Sequence, residues 1–309
     1  MKSPFDHDTY RPRLSGHETF PLRYGWLKKA YDAAEGEGDC SAVFANEGAI
    51  ARFGVGKNMV AAIRHWAVAA GVFEEQEGLR PSALGRLIFA DVGLDPWMEE
   101  PATSWLAHWH IAGRPALTTW YWAFNHYSAL AFERDALVRG VGDLADRHGW
   151  PRASIATIRR DVGCFVRAYA TPYVPTSTLS DDALESPLAE LGLIRATGRR
   201  DGFRFVRGPK PTLDPGIVCY AISSFWNDYA HDANTLSFEA LAHAGGSPGR
   251  VFMLGEDDLV VLLASMDDLT RGAYRWSETA GLRQLIRERP MTEDEARDYV
   301  RVAYGAVAA

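Results

Sequence analysis

A histidine and a carboxylate stand next to each other near the start of the chain, in residues 15–20 (SGHETF). His17 or Glu18 could remove a proton from an attacking water, or help to hold a divalent cation that activates the water. The glycine before them lets the backbone come close to a ligand. The same segment also suits a turn that caps the next helix and packs through Phe20. We therefore take His17 and Glu18 as candidate catalytic residues, with a structural cap as the alternative.

A second pattern, His108-Trp109-His110, is similar to the pair of histidines that binds a metal in some nicking enzymes, with Tyr121 and Tyr127 as candidate nucleophiles. Two histidines at this spacing share a face on a strand, but on a helix they point about 200° apart and do not hold one ion together. The apolar spacing around them predicts a helix. We expect one histidine to be buried and the other exposed, and we assign no metal ligands here.

A third pattern is the glycine turn at residues 54–58 (GVGKN), which is similar to a nucleotide-binding phosphate loop. That loop requires a glycine where Ala51 stands and Ser or Thr where Asn58 stands, so the sequence argues against a nucleotide site. A glycine turn that leads into a helix N-terminus bearing a lysine still suits a DNA phosphate. Lys57 and Asn58 are therefore candidate DNA-binding residues.

These residues belong to a predicted helix-turn-helix over residues 46–70, with Gly54 at the turn and an inward face that includes Val60 and Ile63. The opposite face carries residue types that reach phosphates and base edges, namely Lys57, Asn58, Arg64 and His65. A structural or protein-docking module is the alternative, since many helix-turn-helix units do not touch nucleic acid.

A predicted hairpin with a turn at residues 77–78 follows the second helix, which is the order of a winged helix. Its glutamates, Glu74, Glu75 and Glu77, make it acidic, and a DNA backbone would repel such a wing. The helix rather than the wing is therefore the expected DNA-contacting element.

A basic hairpin is predicted over residues 193–206, turning through Gly198 and Gly202. Six basic residues lie in or just after it against the single acid Asp201: Arg195, Arg199, Arg200, Arg204, Arg207 and Lys210. Such clustering in an acidic protein favours contact with phosphates. A solvated surface hairpin is the alternative. We take Arg195, Arg199, Arg200 and Arg204 as candidate DNA-binding residues.

Composition limits the class of protein. The chain has 309 residues, 47% of them hydrophobic, and a formal net charge of −7, so nucleic-acid binding must depend on local patches. Its three cysteines are widely spaced and lack zinc-site spacing, which indicates buried thiols in a reducing compartment. No apolar run is long enough to span a bilayer. We expect a cytoplasmic protein without membrane contact.

The predicted fold is mainly α with small β-hairpins, in tandem winged-helix-like units joined by an aromatic-rich helical bundle. The domain boundaries expected from the sequence are 1–92 for an N-terminal winged helix, 93–150 for the bundle, 151–212 for a unit with the basic hairpin, and 213–309 for a C-terminal winged helix. The first helix is predicted to start near Thr19 and end near Ala34, and residues 250–252 are predicted as a short strand.

Several segments together make the chain resemble the SspB-like DNA nickase family of the single-stranded DNA phosphorothioation system, a numbered family of unknown function. They are SGHETFPLRYGWLKKAYDA (15–33), GVGKNMVAAIRHWA (54–67), SPLAELGLI (186–194), SPGRVFMLGEDDLVVLL (247–263) and AYRWSETAGLRQL (273–285). The resemblance implies a DNA-nicking role in sulfur modification and phage defence. It implies as partners DNA, a cysteine desulfurase, an ATPase and an ATP-pyrophosphatase-like enzyme. Attack on phosphorus usually requires a divalent metal or clustered basic residues, which suggests Mg²⁺ or Mn²⁺ as a cofactor.

Two other functions remain open from the sequence. One is a non-catalytic winged-helix subunit that recognises DNA or adapts partners to it, because no compact cluster of carboxylates of the usual nuclease kind is evident. The other is a transcription regulator, which would bind a palindromic site as a dimer.

Overall fold

The computed structural model describes residues 3–36, 38–45, 48–171, 186–198, 201–279 and 281–305. The chain folds as two compact units, Met1–Val206 and Arg207–Ala309. The finer division into four domains stays a prediction.

The helices described in the first unit are α1 (Trp26–Ala34), α2 (Ser41–Ala45), α3 (Gly48–Phe53), α4 (Lys57–Ala69), α5 (Ala83–Phe89), α6 (Pro101–Gly113), α7 (Thr118–Asn125), α8 (Arg134–Arg147) and α9 (Ile155–Tyr169). Its strands are β1 (Phe73–Glu74), β2 (Arg80–Pro81), β3 (Ala131–Glu133), β4 (Ala170–Thr171), β5 (Ile194–Ala196) and β6 (Gly202–Phe205). Short 3₁₀ helices lie at Pro4–Asp6 and Pro187–Leu191.

Aromatic side chains fill the core of this unit. The largest fully buried ones include Trp66 on α4, Trp105 and Trp109 on α6, Trp120 on α7 and Phe165 on α9. Each large apolar side chain contributes about 1.5–3 kcal/mol when it is removed from water. Helices α6 and α7 are buried on nearly all sides and form a centre against which α4, α8 and α9 pack.

A four-stranded sheet in the order β3-β6-β5-β4 closes one side of the first unit. Its inward face carries Phe132, Phe203 and Phe205, which contact one another. The outward face carries Arg195 and Arg204, which are direct cross-strand partners and are both exposed.

The second unit contains α10 (Pro215–Ala230), α11 (Phe238–His243), α12 (Pro248–Val251), α13 (Glu256–Ala264), α14 (Met266–Leu269) and α15 (Glu293–Val302). Its strands β7 (Thr235–Ser237), β8 (Tyr274–Thr279) and β9 (Leu282–Arg287) form a sheet in the order β7-β9-β8. Helix α15 packs closely on α10, since a Cβ at Gly216 would lie 2.3 Å from the carbonyl oxygen of Tyr299.

The prediction of a mainly helical fold with small β-hairpins is confirmed at this coarse level, and the small sheets are antiparallel except for the parallel pair β4–β5. Helices α3 and α4, joined by a turn and followed by the β1–β2 hairpin, have the predicted order of a winged helix, but each strand of this hairpin has only two residues. The winged-helix assignment therefore stays a prediction. Asn46 and Glu47, which open the predicted helix-turn-helix, lie outside the described residues.

Two predicted boundaries are wrong. Helix α1 begins at Trp26 rather than near Thr19, because the backbone at Glu18, Thr19 and Gly25 has positive φ and cannot continue a right-handed helix. Residues 248–251 form the short helix α12, capped by the Ser247 hydroxyl, where a strand was predicted over residues 250–252. The three cysteines are buried free thiols, as predicted.

Within the described part of the chain, every helix is too short or too polar to cross a lipid bilayer.

Candidate functional site

The loop at residues 15–20 has an unusual backbone. Gly16 has φ +108°, Glu18 +47° and Thr19 +67°. Only glycine adopts such values at little cost, whereas other residues lose about 1–2 kcal/mol each. Consecutive non-glycine residues in this conformation persist only where the surrounding structure holds them.

His17 supplies the main anchor of the loop. Its side chain is 3% exposed. Its Nδ1 accepts a hydrogen bond from the Thr19 backbone N–H at 3.0 Å, so the ring proton must be on Nε2. That N–H donates to Oδ1 of Asp161 on α9, at 2.7 Å. The two bonds fix both the tautomer of His17 and the turn that follows it.

Two more side chains hold the loop to helices on either side. The guanidinium of Arg167, one turn and a half beyond Asp161 on α9, donates to the carbonyl oxygen of Thr19. The indole N–H of Trp66 on α4 donates to the carbonyl oxygen of Phe20 at 2.9 Å. Helices α4 and α9 thus clamp the loop from two sides.

His65 on α4 lies directly under Gly16. A Cβ at Gly16 would stand 2.7 Å from Nδ1 of His65, so only glycine fits at this point. The ring of His65 also meets the ring of His17 edge to face, with centroids 5.7 Å apart. Burial, together with the nearby charges of Arg13 and Arg64, lowers the pKa of His65 from 6.5 to about 3.

The placement of His65 corrects the sequence analysis. The helix pattern put His65 on the exposed face of α4, but its side chain is buried, because the loop before α1 covers this side of the helix. We therefore do not assign His65 to a DNA-contacting surface.

The two candidate catalytic residues have different environments. His17 is buried and both of its ring nitrogens are engaged, so it has no lone pair for a substrate in this state. Glu18 is exposed. Among the described residues its carboxylate has no ion-pair partner. The arrangement makes Glu18 the group that can meet a substrate and His17 a residue that positions it.

The candidate DNA-binding residues on α4 are only partly available. Lys57 and Asn58 are exposed at its first turn, where Gly56 provides no side-chain cap for the free N–H groups. Arg64 is half-buried and pairs with Glu75 at 2.6 Å. This acidic residue of the predicted wing therefore neutralises part of the helix surface.

The six basic residues of the predicted hairpin lie in different places. Arg195 and Arg204 stand side by side on the exposed face of the sheet. Arg199 and Arg200 lie outside the described residues. Arg207 belongs to the second unit, where it donates to the carbonyl oxygen of Leu254 at 2.8 Å. Lys210 likewise donates to the carbonyl oxygens of Gly208 and Met253.

The histidines at 108 and 110 lie on α6, as predicted. His108 is fully buried and its Nδ1 lies 2.8 Å from the hydroxyl of Tyr169. His110 packs against Gly71, where a Cβ would be 2.7 Å from its Nδ1. The expectation that one of the two is exposed is wrong, because His108 is buried and His110 is half-buried against Gly71.

A magnesium site does not fit the residues at the loop. Mg²⁺ needs several oxygen ligands in octahedral geometry, whereas this site brings together the exposed Glu18 of the loop and the buried Asp161 of α9. Oδ1 of Asp161 is already bound by His17, and its Oδ2 has no hydrogen-bond partner among the described residues. Elsewhere in the described ranges, no group of three or more His, Cys, Asp or Glu side chains is arranged to hold a metal ion. We assign no step to a metal ion.

Asp161 is the residue that the sequence analysis missed. Asp161 lies on the apolar side of the amphipathic helix α9, with Ile158, Val162 and Phe165, and is 1% exposed. A lone acid in an apolar stripe is costly to bury unless it has a partner. That pattern could have indicated a buried hydrogen bond, but its partner, 144 residues earlier, could not be read from the pattern.

The low pKa of His65 predicts how stability changes with pH. The unfolded chain binds a proton at this ring below pH 6.5, whereas the folded protein does so only near pH 3, so the protein loses stability as the pH falls through this window. By pH 5 the loss is about 2 kcal/mol. Urea unfolding at pH 7 and pH 5 should show this loss in the wild type and a smaller one in His65→Asn. An NMR titration in which the wild-type ring takes up a proton above pH 5 would contradict the prediction.

Comparison with known proteins gives a consistent result. A family model described as "Protein of unknown function (DUF4007)" matches residues 14–304. A structure described as "Magnesium ion-bound SspB crystal structure" has a TM-score of 0.83 and 28% sequence identity, and the match covers 96% of this chain and 91% of that chain. A second, "SspB crystal structure", has a TM-score of 0.81 and 28% identity, with 97% and 88% covered.

No curated protein matches the chain. Because the family model spans nearly the whole sequence, the chain belongs to the DUF4007 family, and the two structural matches make it SspB-like.

Proposed function

We propose that this protein binds DNA and nicks one strand as part of a bacterial DNA phosphorothioation and phage-defence system. The observation that carries DNA binding is the pair of exposed arginines on the sheet, Arg195 and Arg204. The family resemblance and the likeness to SspB support the assignment of this protein to such a system.

The arginine pair is costly without an anionic ligand. Like charges that face each other directly across two strands destabilise a sheet by about 0.2–1 kcal/mol. Arg195 and Arg204 occupy such a pair, and no carboxylate in the described residues pairs with either guanidinium. A phosphate between them removes this repulsion and gains charge-assisted hydrogen bonds.

The first turn of α4 offers a second phosphate contact. Lys57 and Asn58 are exposed there, and the free backbone N–H groups of the helix carry partial positive charge. The helix-turn-helix with its hairpin acts in this proposal as a winged helix whose helix, not its acidic wing, approaches DNA.

Glu18 is the proposed proton acceptor for the nick. Breaking one strand requires water to attack phosphorus, so that a new P–O bond forms while the bond from phosphorus to one sugar oxygen breaks. The attacking water loses a proton, the leaving sugar oxygen takes one up from the solvent, and negative charge builds on the phosphoryl oxygens. The exposed carboxylate of Glu18 can take the proton, and neighbouring arginines can stabilise the charge. His17 and Asp161 hold Glu18 in place through the loop.

The proposed partners are those of the phosphorothioation system: a cysteine desulfurase, an ATPase and an ATP-pyrophosphatase-like enzyme. A nick supplies them with a strand end at which oxygen can be exchanged for sulfur. The nicking assay described below includes a divalent cation, Mg²⁺ or Mn²⁺, because one SspB structure is described as magnesium-bound.

The second candidate function is a non-catalytic DNA-recognition or adaptor subunit. The engagement of both ring nitrogens of His17 favours it, because one of the two candidate catalytic side chains is then structural. A transcription regulator remains the third alternative, and it requires a dimer on a palindromic site.

Incubation with supercoiled plasmid tests the nick. The wild type should convert the plasmid to open circles in Mg²⁺ or Mn²⁺, and Glu18→Gln should slow this at least about 100-fold, the size of a lost general base. DNA affinity and melting temperature should stay the same, since Glu18 is exposed. Binding by the wild type without any strand break would instead favour the adaptor function.

DNA binding is tested through the arginine pair. The double variant Arg195→Gln with Arg204→Gln should bind DNA of every sequence more weakly, and to a similar degree. The slope of the logarithm of the binding constant against the logarithm of the salt concentration should fall by up to about two units. The melting temperature of this variant should be equal or slightly higher, because the repulsion is gone. The matched control, Arg139→Gln with Arg147→Gln on α8, removes the same charge from a helix that carries its own carboxylates. An equal loss of DNA affinity in both double variants would show that net charge, and not a binding site at Arg195 and Arg204, controls the affinity.

A further inference from the structure

The exposed side of α9 is strongly basic. Arg159, Arg160 and Arg167 are exposed along it, and Arg152 is exposed in the turn that precedes it. The only acid within the helix is Asp161, which is buried and bound to His17. The outer face of this helix therefore carries positive charge alone, in a protein whose net charge is −7.

These arginines are not neutralised within the described part of the chain. Nε of Arg160 donates to the carbonyl oxygen of Ala156, and Nε of Arg167 to that of Gly163, both at 3.3 Å and both on the same helix. No carboxylate pairs with them there. Arginines on another helix show the contrast, since Arg297 on α15 pairs with Glu293 at 3.5 Å.

Gly163 lies on this face, and no contact among the described residues requires a glycine there. It lies in the middle of α9, between Arg160 and Arg167 on the same side of the helix. A Cβ added there would meet nothing within 4 Å. A glycine within a helix destabilises it relative to alanine, and no neighbour among the described residues requires one here. The missing side chain leaves the helix backbone open to something outside the protein.

The face is also joined to the candidate catalytic loop. Arg167 donates to the carbonyl oxygen of Thr19, the residue after Glu18. On the inner side of the same helix, Asp161 holds His17. A ligand on the outer face of α9 would therefore reach the loop at the end where Arg167 stands.

We propose that Arg152, Arg159, Arg160, Gly163 and Arg167, the α9 basic face, bind the phosphate backbone of DNA and lead it to Glu18. The inference rests on the proposed DNA function and adds the surface along which the strand lies. Arg160 and Arg167 are about 10 Å apart along the helix axis, a length over which one strand of a duplex carries about three phosphates. Guanidinium groups bind phosphate through two parallel hydrogen bonds, which suits this ligand.

The test uses the full chain and a mobility-shift titration with plasmid-derived duplex DNA over a range of salt. Arg159→Gln with Arg160→Gln leaves Arg167 and the loop untouched. It should weaken binding about tenfold at moderate salt and lower the salt slope by up to about two units. Arg297→Gln with Arg301→Gln on α15 removes the same charge from arginines that have carboxylate partners, and it should bind as the wild type does.

The outcomes separate this inference from the proposed function. If the wild type does not bind DNA at all, the proposed function fails and the α9 basic face fails with it. If the wild type binds and the α9 variant binds equally well with the same slope, only the face is wrong. Equal losses in the α9 and α15 variants also overturn it. The α9 variant could also lose binding to polyglutamate while its DNA binding stays unchanged. That result would overturn the inference and assign the face to an acidic protein partner instead.

Gly163 provides a second and independent variant. Gly163→Gln keeps a good helix former and the same net charge, and its side chain enters open space, so the melting temperature should not fall. The glutamine should nevertheless weaken DNA binding several-fold, because it occupies the approach to the helix backbone. Wild-type affinity in this variant would contradict the close approach of DNA to α9.

Discussion

The hydrogen bond between His17 and Asp161 is the constraint on which the candidate site depends. A left-handed backbone at Glu18 and Thr19 costs about 1–2 kcal/mol per residue. A buried hydrogen bond to a charged group contributes about 1.5–3 kcal/mol. The two quantities are of similar size, so the loop conformation exists only while its anchors are in place. The burial of Asp161, with one oxygen unpartnered, adds a cost that the native packing must offset.

Helix α9 joins the buried and the exposed halves of the site. Its inner side fixes the loop through Asp161, and its outer side presents arginines to the solvent. Because one rigid helix carries both, a charge on the surface and a carboxylate in the loop keep a fixed separation. This arrangement would allow a protein with a net charge of −7 to bind a polyanion, since exposed arginines cluster on one helix and on one sheet face.

Much of the local structure follows from the sequence. The amphipathic spacing of residues 154–169 predicts α9 nearly to the residue. The glycine turn before Lys57 predicts the start of α4. Sequence reasoning fails where long-range contacts override the local pattern. His65 fits an exposed helix position, but a loop that lies 49 residues earlier covers it. The helix predicted from Thr19 is displaced to Trp26, because His17 and Arg167 hold the preceding backbone in a turn.

The central claim is that a neutral His17, protonated on Nε2, ties the loop to α9. NMR of the ¹⁵N-labelled protein at pH 7 tests it directly through the ring nitrogens of His17. The structure predicts that Nε2 resonates as a protonated nitrogen and Nδ1 as an unprotonated, hydrogen-bonded one, with slow exchange of the Thr19 amide proton that donates to it. A ring protonated on Nδ1, or shifts averaged between the two tautomers, together with a rapidly exchanging Thr19 amide, would contradict the account.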